Sequence, residues 1–175
     1  MSTELLVRLE RSSDRGDSLD VERLAFGEEA EVDIVRVVRD EVDSFALVAE
    51  RAGELLGHVQ LSRAWVGSDP VLALGPIGVR PDVQRQGIGS ELVRGALDEV
   101  RRRDERAVIL LGSQEFYPRF GFEPATTWGL RNPFAGETGS GFVIQEEDFM
   151  LAALDDRCGS LHGTVRWHPA FGQRG

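Results

Sequence analysis

Hydrophobic and polar residues recur with two different periods along the first half of the chain. Alternation at Leu5 to Glu10 predicts a strand, and the spacing in Asp17 to Phe26 and in Val32 to Arg39 predicts two helices. Strand-like runs at Ser44 to Arg51 and Leu55 to Trp65 are joined by Ala-Gly, which is typical of a hairpin turn. This half is therefore predicted to fold as β-α-α-β-β. The apolar residues assigned to the first helix are Leu19, Val21, Leu24, Ala25 and Phe26.

The second half continues with a strand–helix–strand pattern. Leu72 to Val79 is apolar throughout but contains Gly75-Pro76. Because proline cannot donate a hydrogen bond to a neighbouring strand, we expect a bulge or local break there. Ser90 to Arg103 has the period of an amphipathic helix, and Ala107 to Leu111 is typical of a strand buried on both faces. This order predicts a right-handed crossover between two parallel strands.

The remainder of the chain is rich in turns. Two closing strands are predicted, at Phe149 to Leu154 and at Gly163 to Trp167. Between these and the crossover, Pro124 to Gly141 is rich in Thr, Gly and Pro. This segment is either a wall of an acceptor site or a simple connection.

A glycine-rich loop, Gln84 to Gly89, lies between the apolar strand and the amphipathic helix. Gly87 and Gly89 carry no side chain to hold a ligand away, and the following helix adds unpaired N–H groups, so the segment predicts a phosphate cradle. A P-loop is excluded because the chain contains no lysine, and the dinucleotide fingerprint would need Gly or Ala where Leu92 stands. A tight turn that opens a helix is the structural alternative.

Two segments carry a resemblance to a known family. Gln84, Gly87 and Gly89 match the Gln/Arg-x-x-Gly-x-Gly/Ala loop of the GNAT superfamily, the acetyl-CoA-dependent N-acetyltransferases. Phe116 to Phe122 resembles the Tyr-x-x-x-Gly-Phe segment that follows the fifth strand of those enzymes. The tail Gly163 to Phe171 resembles in particular a branch of predicted N-acetyltransferases that carry Arg-Phe-Gly-Phe.

The resemblance implies one GNAT-like domain over residues 1–175. Its fold class would be α/β (α+β), with a central mixed, twisted sheet of about seven strands, flanking helices and a bulged fourth strand. It also implies that acetyl-CoA is the cofactor, without a metal, and that the Tyr117 hydroxyl is the general acid for the departing CoA thiolate. The aromatic residues around Tyr117 alternatively form a core cluster capped by Gly121. The implied cofactor-binding residues are Ile77, Gly78, Val79, Gln84, Arg85, Gln86, Gly87, Ile88, Gly89 and Ser90.

The predicted reaction is acetyl transfer to a primary amine by direct attack on the thioester. Many GNAT enzymes have a glutamate on the fourth strand, but Leu72 to Val79 contains no ionisable residue. His58, Glu115 and ordered water remain as candidates for the general base. A non-catalytic acyl-CoA-binding or sensing module is therefore an alternative, and a nucleotide-dependent oxidoreductase would require NAD binding.

Composition limits the partners. The net charge of −10 argues against nucleic acid and favours a cationic acceptor, a small-molecule or peptide amine. No apolar run approaches the roughly 20 residues of a membrane span, and the N-terminus lacks the basic and apolar regions of a signal peptide, so we expect a cytoplasmic protein without a membrane partner. The lone Cys158 and the absence of metal-ligand spacing predict neither a disulfide nor a metal site. A homodimer is left open.

Overall fold

The computed structural model describes residues 3–139 and 142–172, and its regular elements follow the predicted order. The helices are α1 (Arg15–Phe26), α2 (Ala30–Val38) and α3 (Ile88–Arg102). The longer strands are β1 (Leu6–Leu9), β2 (Phe45–Arg51), β3 (Glu54–Val66), β4 (Asp69–Val79) and β5 (Ala107–Leu111). After these come β6 (Glu123–Pro124), β7 (Leu130–Arg131), β8 (Thr138–Gly139), β9 (Phe142–Val143), β10 (Phe149–Ala153) and β11 (Gly163–Arg166).

The described residues cluster into two compact units. The first contains the residues up to Ser62 together with Leu74–Glu99, and the second contains Arg63–Ala73 together with the residues from Val100 onward. Strands β3 and β4 each contribute residues to both units. That residues 1–175 form one domain stays a prediction.

The first unit is an antiparallel arrangement with three helical segments. Strand β2 pairs with β1 in the register Leu6↔Glu50 and with β3 in the register Val48↔His58. Helix α2 buries its apolar stripe completely, with Val32, Val35 and Val38 at 0% exposure. The predicted apolar face of α3 is also confirmed as buried: Leu92, Val93, Ala96, Leu97 and Val100.

Helix α1 exposes part of its apolar side chains. Leu24 and Phe26 are 57% and 41% exposed, whereas Ser18, Val21 and Glu22 are buried. The predicted helix is confirmed, and of the five apolar residues assigned to it Val21 is the one that is fully buried. This helix also buries a carboxylate that has a partner in the interior, and it ends at Gly27 in the left-handed conformation (φ 71°).

The second unit contains the parallel pair and the closing strands. Strand β4 pairs in parallel with β5 at Leu72↔Val108, and β10 pairs antiparallel with β5 from Phe149↔Leu111 onward. Strand β11 runs parallel to β7 and antiparallel to the end of β3. The combination of parallel and antiparallel pairs with flanking helices is the predicted mixed α/β class.

A buried indole orders the C-terminal part of this unit. Trp167 packs edge-on against Phe149, with ring centroids 5.6 Å apart, and its Nε1–H donates to Asn132 Oδ1 at 3.1 Å. Thus the segment from Pro124 onward, predicted as a wall or a connection, contributes Asn132 to the core. Ser140 and Gly141 of that segment lie outside the described residues.

Candidate functional site

The predicted phosphate cradle joins β4 to α3 in the first unit. After Val79 the chain makes a short 3-10 turn (Pro81–Val83), passes through Gln84 to Gly87, and enters α3 at Ile88. The Gln84 side-chain amide donates to the Val79 carbonyl at 2.9 Å, and the Glu91 N–H donates to the Gly87 carbonyl at 3.1 Å. These two bonds close the loop at its beginning and its end. The side-chain amide of Gln84 thereby braces the loop against the end of β4.

Backbone conformation gives the loop its shape. Arg85 and Gly87 both have positive φ, 62° and 85°. The left-handed region costs a residue with a side chain roughly 1–2 kcal/mol, so Arg85 carries local strain that glycine avoids. Residues 84–87 are exposed, and a methyl group built on Gly87 would meet no atom within 4 Å. Ile88, only 1% exposed, anchors the start of the helix.

This arrangement can bind an anion. The first turn of an α-helix leaves N–H groups without partners inside the helix, and the helix dipole is positive at that end. The open face at Gly87 lets a phosphate approach these donors without meeting a side chain. Gly89 and Ser90 lie in this first turn.

Strand β4 approaches helix α1 closely at Gly78. A Cβ atom on this residue would lie 2.7 Å from Glu22 Oε2 and 3.1 Å from the Ala25 methyl group, so any side chain here would force Glu22 to shift. On either side, Ile77 and Val79 are half-buried. Gly75 has a φ of 136°, a departure from regular strand geometry at the Gly-Pro pair where a bulge was predicted.

Glu22 belongs to a buried polar pair that sequence reasoning did not assemble. His58 Nδ1 lies 2.6 Å from Glu22 Oε1, and both side chains are fully buried. Burial raises the pKa of Glu22, and the nearby Glu31 carboxylate raises it further, while the hydrogen bonds from His58 and from the Gly78 backbone oppose the rise. His58 was one of the proposed bases, but Glu22 was not. The two residues are 36 positions apart in sequence, and no local pattern around Glu22 indicates the pairing.

Tyr117 lies in the second unit, at the start of the 3-10 helix Tyr117–Phe120. Its ring packs edge-on against Phe116 and Phe122, and a Cβ atom on Gly112 would lie 2.3 Å from the ring, so this glycine makes room for it. Gly121 caps the short helix with a φ of 92°. The aromatic cluster with a glycine cap is therefore present. Burial raises the pKa of Tyr117 to about 12, which keeps the hydroxyl protonated at neutral pH.

The two remaining candidate residues, Glu115 and Cys158, lie in the second unit. Glu115 is exposed in the second unit, and its N–H bonds to Ser113 Oγ. Cys158 is buried, its thiol donates to the Arg106 carbonyl, and burial raises its pKa, so it is not an activated nucleophile. Within residues 3–139 and 142–172, no group of three or more His, Cys, Asp or Glu side chains could hold a metal ion, and no helix is long and apolar enough to cross a membrane.

Comparison with known proteins decides the family. Residues 16–122 match the model of the acetyltransferase (GNAT) family, a span that contains all of α1 but its first residue, the loop, α3 and the Tyr117 segment. The chain belongs to the GNAT family. Within the family it is 30% identical to the N-acetyltransferase YhbS of Escherichia coli over 173 residues, covering 95% of this chain and 98% of that protein. It is also 30% identical to YjhQ of Escherichia coli over 166 residues, covering 88% and 87%.

Solved GNAT structures share the fold. The crystal structure of Escherichia coli YhbS in complex with CoA matches with a TM-score of 0.89 and 27% identity, over 100% of this chain and 96% of that one. A GNAT acetyltransferase from Brucella melitensis in complex with acetyl-CoA matches with a TM-score of 0.77 and 28% identity, over 97% and 99%. The predicted family, fold class and enzyme class, an N-acetyltransferase, are thus confirmed. The roles of individual residues stay predictions.

Proposed function

We propose that this GNAT protein transfers the acetyl group of acetyl-CoA to a primary amine by direct attack of the amine on the thioester. The observation that carries the proposal is the braced, open loop from Gln84 to Gly87 at the start of the 15-residue helix α3. The complexes of two GNAT neighbours with CoA and acetyl-CoA support it.

The loop and the strand before it would hold the cofactor. Backbone N–H groups of Arg85 to Ser90 would bind the pyrophosphate of CoA. The backbone of Ile77 to Val79 would meet the pantetheine arm and the acetyl carbonyl, and an N–H from Gly78 or Val79 would stabilise the negative charge that develops on the carbonyl oxygen. Holding amine and thioester in line supplies much of the remaining rate acceleration.

Tyr117 would donate a proton to the departing thiolate. Its raised pKa fits a group that stays protonated, but a phenol of pKa about 12 is a weaker acid than a thiol, whose usual pKa is about 8.5. Transfer of this proton to sulfur is therefore uphill unless the proton is replaced. The nitrogen of the tetrahedral intermediate carries one proton more than the nitrogen of the amide product. This proton can replace the one that Tyr117 gives to sulfur.

The alternative is a module that binds acyl-CoA without turning it over. It is favoured by one observation, the absence of an ionisable side chain from Leu72 to Val79. Thiol release from acetyl-CoA in the presence of a panel of amines distinguishes the two functions. Amine-dependent release supports the transferase, and tight acetyl-CoA binding without release under any condition supports the module.

Cofactor identity has its own test. A ligand that binds only the native state at 100 times its Kd adds about 2.7 kcal/mol to stability. CoA should therefore raise the melting temperature, and NAD at the same concentration should not. A shift with NAD alone would refute the proposal.

The amine acceptor, a cytoplasmic location and the absence of nucleic-acid and membrane partners stay predictions, and a homodimer stays open.

A further inference from the structure

A line of buried acidic and basic side chains crosses the interior of the first unit. Glu22 Oε1 lies 2.6 Å from His58 Nδ1, and on the other side of the imidazole His58 Nε2 lies 3.8 Å from Glu10 Oε1. Glu10 in turn accepts from Arg39 Nη2 at 3.0 Å, and both of these side chains are 8% exposed. The line therefore runs from a fully buried carboxylate to a partly exposed one.

The buried end of this line touches the strand assigned to the acetyl group. Glu22 Oε2 occupies the space next to the Gly78 backbone, 2.7 Å from where a Cβ would stand. Gly78 is the central residue of the segment Ile77 to Val79. The one carboxylate that the first helix buries is thus placed against that segment.

The pairing within the line is incomplete. Glu22 Oε2 and His58 Nε2 are both buried. Glu22 accepts a hydrogen bond from the Gly78 backbone, which lowers its pKa, whereas His58 Nε2 has no hydrogen-bond partner among the described residues. A buried polar atom without a partner costs about 1–3 kcal/mol, so a purely structural ion pair would be expected to satisfy both ends. The open ring nitrogen of His58 faces Glu10 Oε1 at 3.8 Å, which is beyond hydrogen-bonding distance, so a path for protons between them would run through a bridging water.

The charges that face Glu22 favour uptake of a proton. His58 lies on β3 and Glu31 on α2. Glu10 directly follows β1 and is paired with Arg39, which directly follows α2. Three carboxylates thus share this interior with one guanidinium and one imidazole. Burial and the Glu31 charge raise the pKa of Glu22, which makes it a stronger base than a solvated carboxylate.

We propose that Glu22, His58 and Glu10 form a proton relay that takes the proton from the incoming ammonium group and passes it toward solvent. This inference rests on the proposed function, since it supplies the base that acetyl transfer to an amine needs. Glu22 is the proton acceptor, His58 the carrier, and Glu10 the exit.

The proton balance is complete. R–NH₃⁺ gives one proton to Glu22, and the free amine attacks the acetyl carbon. The C–N bond forms, the C–S bond breaks, the nitrogen loses its second proton and the CoA sulfur takes one up. One proton per acetyl group is left over, and it leaves through the ring nitrogens of His58 to Glu10 and water.

The test is the pH dependence of kcat/KM for Glu22→Gln, measured with acetyl-CoA and the best accepted of spermidine, tyramine and an unblocked peptide. Without the relay only amine that is already unprotonated reacts, so the rate of the variant should rise about tenfold per pH unit toward the pKa of the amine. The expected loss is about 10²-fold or more at neutral pH and shrinks as the pH rises. His58→Gln and Glu10→Gln should show smaller losses of the same form, and they carry the test if Glu22→Gln does not fold.

Asp14→Asn is the matched control. Asp14 is also a largely buried carboxylate of the first unit, 2.7 Å from Arg8 Nη1, and it lies outside the relay. It should change the melting temperature without changing the pH profile. A ratio of wild-type to Glu22→Gln rates that is independent of pH would overturn the relay and leave the transferase intact. If the wild-type protein acetylates none of the three amines but binds acetyl-CoA, the proposed function fails and the relay fails with it.

Discussion

Replacing Gly87 by alanine separates the loop's role as a turn from its role as a cofactor site. The matched control is Gly53→Ala in the turn between β2 and β3. Gly53 and Gly87 have φ of 82° and 85°, and a methyl group on either one would meet no atom within 4 Å. The two substitutions therefore place the same strain on the backbone, and neither creates a clash.

The expected stability loss is the same for both variants. Alanine in the left-handed region costs roughly 1–2 kcal/mol, partly offset by about 0.4–1 kcal/mol from the reduced freedom of the unfolded chain. The net loss of about 1 kcal/mol should lower the melting temperature by about 2–4 °C in a domain of this size.

The effect on CoA should differ sharply. A methyl group on Gly87 stands where the pyrophosphate is proposed to approach, and losing one charge-assisted hydrogen bond costs about 1.5–3 kcal/mol, or about 10- to 100-fold in Kd. At a CoA concentration of 100 times the wild-type Kd, the ligand's stabilisation should then fall from about 2.7 kcal/mol to between about 1.4 and 0.4 kcal/mol.

Calorimetric titration of CoA and thermal unfolding with and without CoA, on the same preparations, measure both quantities. Gly53→Ala should bind CoA as wild type does. Equal stability losses with unchanged CoA affinity in Gly87→Ala would refute the assignment and reduce the loop to a helix-opening turn.

Four further outcomes are expected. Tyr117 is the only tyrosine, so the native protein's phenolate absorbance should titrate near pH 12, and a midpoint near 10 would contradict its burial. Tyr117→Phe should lower kcat by roughly 10²-fold with little change in CoA affinity, and wild-type turnover would remove the acid assignment. The pKa of Glu22 is raised from 4.5, so the native state binds this proton more tightly than the unfolded chain does, and the stability that results is lost as the pH rises through the native pKa. In urea unfolding, the difference in stability between wild type and Glu22→Gln should therefore shrink as the pH rises through that window. A constant difference would contradict the shift. Cys158 should react with thiol reagents at the rate of unfolding, and rapid labelling of the native protein would contradict its burial.

Elements with a strong and local pattern were predictable from the sequence. The apolar stripe of α3 is buried as predicted, and Ala107–Leu111 has the predicted bounds. The helix begins two residues earlier than predicted, at Ile88, because the Gly87 carbonyl already accepts the N–H of Glu91. A backbone hydrogen bond of this kind cannot be predicted from the spacing of apolar residues.

Features that depend on distant residues were not predictable. The two-residue strands β6 to β9 are too short for any period to appear, and Asn132 is held by Trp167, 35 positions away. Likewise nothing near Glu22 in the sequence indicates that His58 is its partner. The loop and Tyr117 are predicted site residues because their spacing is a family pattern, whereas the proposed relay is visible only in three dimensions.

The most direct test of acetyl transfer to an amine is to incubate the protein with acetyl-CoA carrying a deuterated acetyl group and a panel of primary amines, and to weigh the products. We expect at least one amine to gain the labelled acetyl group on nitrogen, with one CoA thiol released per acetyl transferred. Acetyl-CoA that binds tightly and is recovered unchanged with every amine would contradict it.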